Sequence, residues 1–349
     1  MIKLADLRKD AAFALGLARK QPFQVLLQVT NRCNMTCDFC DFWPNGVAPK
    51  LELSLADFQR LAAQLDELGT MFISVEGGEP LVRKDIVDIL RALSKHHVTC
   101  LYTNGWFVTP ELARQIWDAG VTQVGVSIDY ADAADHDRRR GIEGATERAW
   151  HAISLLRDAA PSPTYGRRAA AGHRAVHVMT VLMEDTFPQL ERLLEQSRDA
   201  GVGHWITLVS NTGYRRGKGG ARAGMTKMSE HLLALRKRFP HFRVFRDYVS
   251  KIDAFTSGNT TALPQCRAGD QTFNIDHQGG VSPCIEHIDW CAGNVREEPL
   301  STILGRMQGD ARVGACQRCW TVCRGFAQEL GNRGTMSGWV DLVTRLRSR

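Results

Sequence analysis

The sequence lacks several features that would assign it to common functional classes. It has no long uninterrupted hydrophobic run. Its N-terminal segment, MIKLADLRKDAAFALGLARKQPF, is broken by charges, so it predicts neither a secretion signal nor a membrane span. The formal net charge is only +6 over 349 residues, too small an excess to indicate nucleic-acid binding. The eleven histidines show no metal-binding spacing. We therefore expect a cytoplasmic protein without a nucleic-acid partner.

Cysteine, by contrast, is abundant and unevenly distributed. Three of the ten cysteines lie between residues 33 and 40, one lies at position 100, and six lie between residues 266 and 323. In a chain of this length, such short spacings indicate metal or iron–sulfur ligands before disulfides. A reducing cytoplasm suits thiolate ligands of this kind.

The first cluster has one cysteine fewer than a closed metal site requires. In NRCNMTCDFCDFW, the residues Cys33, Cys37 and Cys40 form a CxxxCxxC pattern with no fourth cysteine nearby. Catalytic metal sites keep an open position for a substrate or ligand, whereas structural zinc sites are closed by four ligands. We therefore interpret the missing ligand as an open coordination position. A zinc site completed by a distant histidine or cysteine remains the alternative.

The rest of the chain predicts an α/β fold. Amphipathic helical patterns separate six strand-like segments: residues 24–30, 71–75, 98–103, 121–128, 176–183 and 204–210. Repeated strand–helix units predict a parallel sheet with right-handed crossovers. The cysteine loop, EGGEP (76–80), TNGW (103–106) and SIDY (127–130) each lie at the carboxyl end of a strand, where barrel enzymes build their active sites. We therefore predict a partial (β/α)6 TIM-type barrel.

Helix boundaries carry recognisable signals. Ser54 followed by Asp57 resembles a capping box, and Thr109 precedes a proline in the first turn of the next helix. Gly69, Gly120 and Gly201 stand between a helical pattern and a strand, where a left-handed conformation is often needed.

The cysteine loop resembles a known family. CNMTCDFC matches the CxxxCxΦC signature of the radical S-adenosylmethionine (SAM) superfamily, with Phe39 as its aromatic residue. The resemblance implies that the three cysteines hold a four-iron four-sulfur cluster whose fourth iron chelates the methionine moiety of SAM. One electron from the cluster then cleaves SAM, and the resulting 5′-deoxyadenosyl radical abstracts hydrogen from a substrate C–H bond.

The same resemblance implies further SAM-binding residues: Gly77, Gly78, Glu79, Pro80, Asn104, Ser127, Asp129 and Arg140. The GGEP motif would line the methionine amino group, with glycines that allow close backbone approach and Glu79 as an acceptor for the ammonium. Ser127 and Asp129 would lie near the ribose, and Arg140 would pair with the methionine carboxylate. The alternatives are a plain turn at Asn104 and a solvent-exposed charge at Arg140.

The C-terminal cysteines resemble a second motif of that family, the SPASM domain or its shorter relative, twitch. The resemblance implies auxiliary-cluster ligands at Cys266, Cys284, Cys316 and Cys319, with Cys323 as the alternate. Two clusters would need about eight thiolates, so one auxiliary four-iron four-sulfur cluster is expected. A zinc ribbon is the alternative. Cys291 is open: a spare ligand, a hydrogen-atom donor or an inert thiol.

We therefore predict an N-terminal helix (1–21), a radical SAM barrel (22–225), and a small cysteine-rich iron–sulfur domain with a C-terminal helix (226–349). The expected function is oxidation or epimerisation of a small molecule, such as a sugar or aminocyclitol, with a flavodoxin or ferredoxin as electron donor. The second hypothesis is a ribosomal-peptide maturase. Residues 1–21 are too few for a fused peptide-binding domain. The third is a zinc-stabilised binding protein without enzymatic activity.

Overall fold

The computed structural model describes residues 22–160, 173–210, 212, 227–287 and 289–331, together with residues 9, 12–13 and 15–16. The last five are helical, and the rest of the predicted N-terminal helix lies outside the described residues. So does the C-terminal helix predicted beyond residue 336. No helix in the described ranges is long and apolar enough to cross a membrane.

Six parallel strands in sequential order form the main sheet, which confirms the predicted partial barrel. The strands are β1 Gln24–Thr30, β2 Phe72–Gly77, β3 Val98–Thr103, β4 Gln123–Ser127, β5 His173–Leu182 and β6 Val202–Leu208. The helices between them are α1 Leu55–Leu68, α2 Ile86–Ser94, α3 Pro110–Asp118, α4 Ala133–Arg140, α5 Ala145–Ala159 and α6 Leu190–Asp199.

Side chains alternate between the two faces of the sheet, as the two-residue period of a strand requires. On β1, Val25, Leu27 and Val29 are fully buried in the core that the sheet shares with its helices. The intervening positions face the concave side and are partly polar. Gln28, for example, donates a hydrogen bond to Asn274 at 2.9 Å. The barrel interior therefore presents polar groups, whereas the hydrophobic core lies outside the sheet.

The predicted local signals are present. Ser54 and Asp57 form a capping box at the start of α1, and Thr109 caps α3 through the N–H of Leu112. Gly69, Gly120 and Gly201 all have positive φ angles after their helices, at 116°, 89° and 69°. These residues therefore end the helices as the sequence pattern indicates.

The C-terminal third continues the same sheet. It contains α7 Met228–Arg238, α8 Arg246–Ser250, α9 Ile252–Thr256, β7 Thr272–Ile275, β8 Gly280–Ser282, β9 Gly293–Asn294, α10 Leu300–Met307, α11 Ala311–Gly314 and α12 Val322–Gly331. Strand β7 pairs in parallel with β1, and β8 and β9 follow in antiparallel order. In the described part of the chain, nine strands thus form one sheet, in the order β6-β5-β4-β3-β2-β1-β7-β8-β9.

Helix α12 contacts both edges of the six-stranded barrel, at β6 and near the start of β1. The N–H of Val322 donates to the Thr207 hydroxyl on β6 at 3.1 Å. One turn later, Phe326 packs against Phe72 on β2, with ring centroids 5.2 Å apart, and against Phe23 before β1. The C-terminal unit therefore contacts the barrel at both of its edges.

Candidate functional site

The three-cysteine loop begins directly after β1 and is held by the end of α4. The N–H of Thr36 donates to the Arg140 carbonyl at 3.2 Å, and the N–H of Asp38 donates to the Arg139 carbonyl at 3.3 Å. The N–H of Cys40 closes a turn onto the Cys37 carbonyl at 3.2 Å. Main-chain bonds to a helix end therefore fix the loop.

The thiols of this loop share one apolar environment. Cys37 is buried, and Cys33 and Cys40 pack beside it in a cluster that includes Met35 and Phe39. Burial raises the pKa of the Cys33 thiol to about 12, and it also raises that of Cys37. A bound metal deprotonates a thiol that resists ionisation by itself. These residues therefore suit metal or cluster ligation better than a role as free nucleophiles.

Gly77 and Gly78 bring strand β2 against the start of the cysteine loop. The N–H of Gly78 donates to the Thr30 carbonyl at 2.7 Å. A Cβ atom on Gly77, whose φ is 133°, would lie 2.1 Å from the Thr30 carbonyl oxygen. One on Gly78 would lie 2.3 Å from that of Arg32. Both glycines are therefore required because the backbone of β2 approaches the backbone of residues 30–32 closely. From the sequence, we expected them to allow close approach to SAM instead.

Glu79 joins three segments at the mouth of the barrel. Its side chain is almost fully buried and accepts hydrogen bonds from Leu81 N–H at 2.9 Å, the Thr103 hydroxyl at 2.8 Å and Asn104 N–H at 2.7 Å. Burial raises the pKa of this carboxyl to about 7. Both oxygens are thus already bonded within the protein, and the expected bond to a ligand ammonium stays a prediction. Pro80, also buried, begins a short 3-10 helix.

Asn104 is more than a turn residue, because its side chain reaches the cysteine loop. The amide nitrogen donates to Asn34 at 2.9 Å and lies 3.9 Å from the Cys33 sulfur. Its oxygen accepts from Trp106 N–H at 3.0 Å. Ser127, half-buried at the end of β4, lies opposite Met179 of β5.

Asp129 and Arg140 form a buried ion pair with each other at 2.5 Å. The other Asp129 oxygen accepts from Val181 N–H at 2.8 Å. Burial alone would lower the pKa of Arg140, but Asp129 and Cys37 raise it above its ordinary value. The Arg140 guanidinium lies 4.0 Å from the Cys37 sulfur and over the Phe39 ring, and its buried Nε has no hydrogen-bond partner. Arg140 is therefore not the solvent-exposed charge that the sequence left open.

Four C-terminal thiols influence one another. Burial raises the pKa of Cys284, and the charges of Cys319 and Cys266 raise it further. The charge of Cys316 likewise raises the pKa of Cys266. Cys323, on α12, is close enough to Tyr102 and Tyr248 to raise the pKa of both phenols. The assignment of Cys266, Cys284, Cys316 and Cys319 as auxiliary-cluster ligands, with Cys323 as alternate, stays a prediction.

His287 is a candidate functional residue that the sequence analysis missed. Its Nε2 lies 3.3 Å from the Cys316 sulfur, within hydrogen-bond distance. Cys284 and His287 form a CxxH spacing, which could have drawn attention to it. In the described ranges, no three His, Cys, Asp or Glu side chains form a group that could hold a single metal ion. The thiolates of a cluster bind different irons and are spaced more widely.

A polar pocket of about 510 Å³ opens beside the cysteine loop, and we call it the hairpin pocket. Its wall includes Asn31 at the end of β1, residues of the 41–47 segment after Cys40, and the β7–β8 hairpin. Cys291 also lines it. This thiol is exposed and donates to the Gly293 carbonyl at 3.1 Å. The pocket therefore lies between the two cysteine-rich regions.

Comparisons with known proteins agree with this arrangement. A model described as the radical SAM superfamily matches residues 27–196, and one described as an iron–sulfur cluster-binding domain, SPASM, matches residues 266–320. The AdoMet-dependent heme synthase of Methanosarcina barkeri is 26% identical over 301 residues, which cover 81% of this chain and 82% of that protein.

One further relative is named a maturase, and one solved structure with a similar fold holds a precursor peptide. The mycofactocin maturase MftC of Mycobacterium tuberculosis is 26% identical over 323 residues, covering 87% of this chain and 78% of that protein. The fold is similar to that of Streptococcus suis SuiB bound to its precursor peptide SuiA, with a TM-score of 0.63 and 15% identity. That alignment covers 87% of this chain and 69% of SuiB.

Proposed function

This chain is a radical SAM enzyme with a SPASM-type iron–sulfur domain, and on that premise we propose that it abstracts hydrogen from a polar small molecule. When bound, the cluster and SAM supply a 5′-deoxyadenosyl radical, which takes a hydrogen atom from a substrate C–H bond. In an oxidation the substrate radical also loses one electron and one proton; an auxiliary cluster held by the C-terminal thiols would accept the electron, and water would take the proton. An external flavodoxin or ferredoxin would provide the initiating electron.

The residues of the cysteine loop fit this role. Cys33, Cys37 and Cys40 would hold the cluster in their shared apolar environment. The SAM site would be lined by Gly77, Gly78, Pro80, Asn104 and Ser127. The ion pair between Asp129 and Arg140 would support Cys37, whose sulfur the Arg140 guanidinium approaches. Glu79 would act mainly by fixing Asn104, whose backbone N–H it binds.

The observation that carries the proposed substrate class is the hairpin pocket. Its volume of about 510 Å³ lies within the range of about 300–1,000 Å³ that is typical of small-molecule sites. Asn31 lies two residues before Cys33, and Asp41 directly follows Cys40, so the pocket adjoins the loop where the radical would form.

The first test concerns SAM cleavage. Anaerobically reconstituted, reduced protein is expected to form 5′-deoxyadenosine, and Cys37→Ala should abolish it because one ligand of the cluster is lost. Cys100→Ala is the matched control, because Cys100 is also buried but lies within β3. The products are measured by liquid chromatography. Cleavage that persists in Cys37→Ala would contradict the cluster assignment.

Peptide maturation is the second candidate, favoured by the similarity to MftC and by the likeness to SuiB. In that case the hairpin pocket would receive one side chain of a longer substrate. Genes next to the coding sequence discriminate between the two. A short precursor-peptide gene supports maturation, and genes for sugar or other small-molecule tailoring support the first candidate.

Cys291 distinguishes epimerisation from oxidation. As a hydrogen donor, its thiol would return a hydrogen atom to the substrate carbon radical; the resulting thiyl would then need one electron from the external donor and one proton. For an epimerase, Cys291→Ala should eliminate product while 5′-deoxyadenosine still forms, and wild-type product made in D₂O should carry one deuterium. For an oxidation, the variant should keep its product yield, and the donor role would be refuted.

A further inference from the structure

A histidine ring lies against one of the C-terminal thiols. The short 3-10 helix Ile285–His287 directly follows Cys284. The Nε2 atom of His287 lies 3.3 Å from the Cys316 sulfur, although 29 residues separate the two in the chain. Cys284 and Cys316 are both among the four thiols that we assign to the auxiliary cluster. The imidazole therefore lies at the predicted ligands themselves.

Hydrogen bonds hold the backbone that carries this ring. The N–H of His287 donates to the Cys284 carbonyl at 3.0 Å. The neighbouring Glu286 is buried, and its carboxylate accepts the hydroxyl groups of Ser210 at 2.6 Å and Thr212 at 2.7 Å. Those two residues follow β6. The short helix is therefore anchored both to a predicted ligand and to the barrel, and it holds the imidazole in a fixed place.

The chemistry of a cluster ligand decides the direction of the bond between His287 and Cys316. A cysteine that binds iron is a thiolate and has no proton to donate, so Nε2 must carry the proton. The neutral ring with its proton on Nε2 and the imidazolium both donate from that atom, so the bond does not depend on the charge of the ring.

Such a bond changes the reduction potential of a cluster. Reduction places more negative charge on the ligand sulfur atoms, and a hydrogen bond to a more negative acceptor is stronger. An N–H donor at a ligand sulfur therefore stabilises the reduced form more than the oxidised form. Hydrogen bonds to the sulfurs are among the features that set iron–sulfur potentials.

We propose that His287 donates a hydrogen bond to the Cys316 thiolate and thereby raises the reduction potential of the auxiliary cluster. His287 acts through Cys316 and is a positioning residue, because four thiols already complete the ligand set of a four-iron cluster. This inference rests on the proposed function, in which the substrate radical passes one electron to that cluster while water takes the proton. A higher potential makes this electron transfer more favourable.

The potential is measured in the full chain with the first cluster removed. In the variant with Cys33, Cys37 and Cys40 replaced by Ala, which we call the parent, only the auxiliary cluster is titrated. His287→Phe keeps a planar ring but removes the donor. We expect unchanged iron content and a reduction equilibrium constant about tenfold lower, which for one electron is a shift of about 59 mV to lower potential. A redox titration monitored by electron paramagnetic resonance measures it.

Two further variants separate the hydrogen bond from packing. His287→Gln places an amide N–H close to the position of Nε2, so most of the parent's potential should return. His151→Phe, at an exposed position on α5, is the control for an added phenylalanine and should leave the potential unchanged. Equal potentials in the parent and His287→Phe would overturn the proposal. An equal fall in His287→Phe and His287→Gln would also overturn it, because packing alone would then explain the shift.

A spectroscopic measurement on the parent needs no substitution at His287. With histidine labelled by nitrogen-15, pulsed electron paramagnetic resonance of the reduced cluster should detect one weakly coupled imidazole nitrogen. A strong coupling would indicate an iron–nitrogen bond, which makes His287 a ligand and overturns the proposal. Absence of any coupling, or a parent that binds zinc or no metal, would overturn it as well.

The result is separable from that of the proposed function. Formation of 5′-deoxyadenosine depends on the first cluster, which the parent does not carry. A wild-type enzyme that cleaves SAM, combined with a potential that ignores His287, would retain the proposed function and lose this inference. A potential that responds to His287, in a chain whose wild type cannot cleave SAM, would do the opposite.

Discussion

Individual residues of neighbouring elements pack against the cysteine loop and support it. Gly77 and Gly78 allow β2 to touch the backbone of residues 30–32, and Glu79 ties that contact to Asn104. Arg140 approaches Cys37 while its charge is balanced by Asp129. The contacts in the structure therefore give the GGEP motif a role in supporting the loop, and its role in lining SAM stays a prediction.

Replacement of Gly78 by Ala tests this supporting role. Its Cβ would lie 2.3 Å and 2.6 Å from the carbonyl oxygens of Arg32 and Asn31, so the backbone must shift. We expect the free energy of unfolding to fall by about 1–3 kcal/mol even without iron or SAM. Urea denaturation of the cluster-free protein measures it.

Gly305→Ala is the control for Gly78→Ala. Gly305 lies within α10 with open space around its Cβ position, so stability should be unchanged or rise by up to about 1 kcal/mol. If Gly78→Ala is as stable as the wild type but no longer binds SAM, the glycine serves the ligand instead of the fold.

At the scale of elements, local sequence patterns predicted the helices and strands of the barrel but not the pairing of the C-terminal strands. The six strand–helix units, the capping box at Ser54 and the glycine helix ends followed from periodicity and turn chemistry, and the structure confirms them. The pairing of β7 with β1 was not predicted, because it joins segments about 250 residues apart whose register no local pattern encodes. The short helices α8 and α9 were missed for lack of a full helical repeat.

The site shows the same division. The cysteines and the GGEP motif were found by spacing, whereas Asn31, His287 and the Asp129–Arg140 pair acquire their meaning from contacts across the fold. A sequence window cannot show that two side chains from different elements are buried together. The sequence therefore could not predict the roles of residues that depend on which groups lie next to them in the fold.

The auxiliary cluster can be tested in the full chain once the ligands of the first cluster are removed. Replacement of Cys33, Cys37 and Cys40 by Ala together should leave about four irons per chain, held by the second cysteine group. Adding Cys266→Ala should remove them and make residues beyond 260 sensitive to protease, because metal binding is coupled to folding. Iron and zinc are quantified by mass spectrometry.

Adding Cys323→Ala to the same triple variant is the comparison, and it should leave the iron content unchanged if Cys316 and Cys319 are the ligands. Zinc in the triple variant, or no metal, would revive the zinc-ribbon alternative.

At the scale of the whole molecule, buried neutral histidines lower the free energy of unfolding as the pH falls. Burial lowers the pKa of His136 to about 4 and of His177 to about 3. In the unfolded chain both bind protons near pH 6.5. The unfolded state therefore binds more protons below that pH, and each histidine removes about 1.4 kcal/mol of stability per pH unit as the pH falls from 6.5 towards its folded pKa.

His136→Asn isolates one of these contributions. An asparagine oxygen can take over the bond that Nδ1 accepts from Asp129 N–H, at 3.3 Å, but it does not titrate. Between pH 6.5 and 4 the variant should lose about 3 kcal/mol less stability than the wild type. Urea midpoints at several pH values measure the difference. Parallel loss in both proteins would show that His136 is not an acid-sensitive group.

Strand β1 is an interior strand only because β7 covers its free side over Gln24–Leu27. Without the C-terminal unit, the backbone N–H and C=O groups on that side would form a bare sheet edge, flanked by apolar side chains and open to pairing with other chains. The barrel that carries the cysteine loop therefore depends on the C-terminal unit to cover β1. We therefore expect the barrel to aggregate at this edge when it is expressed without the C-terminal unit.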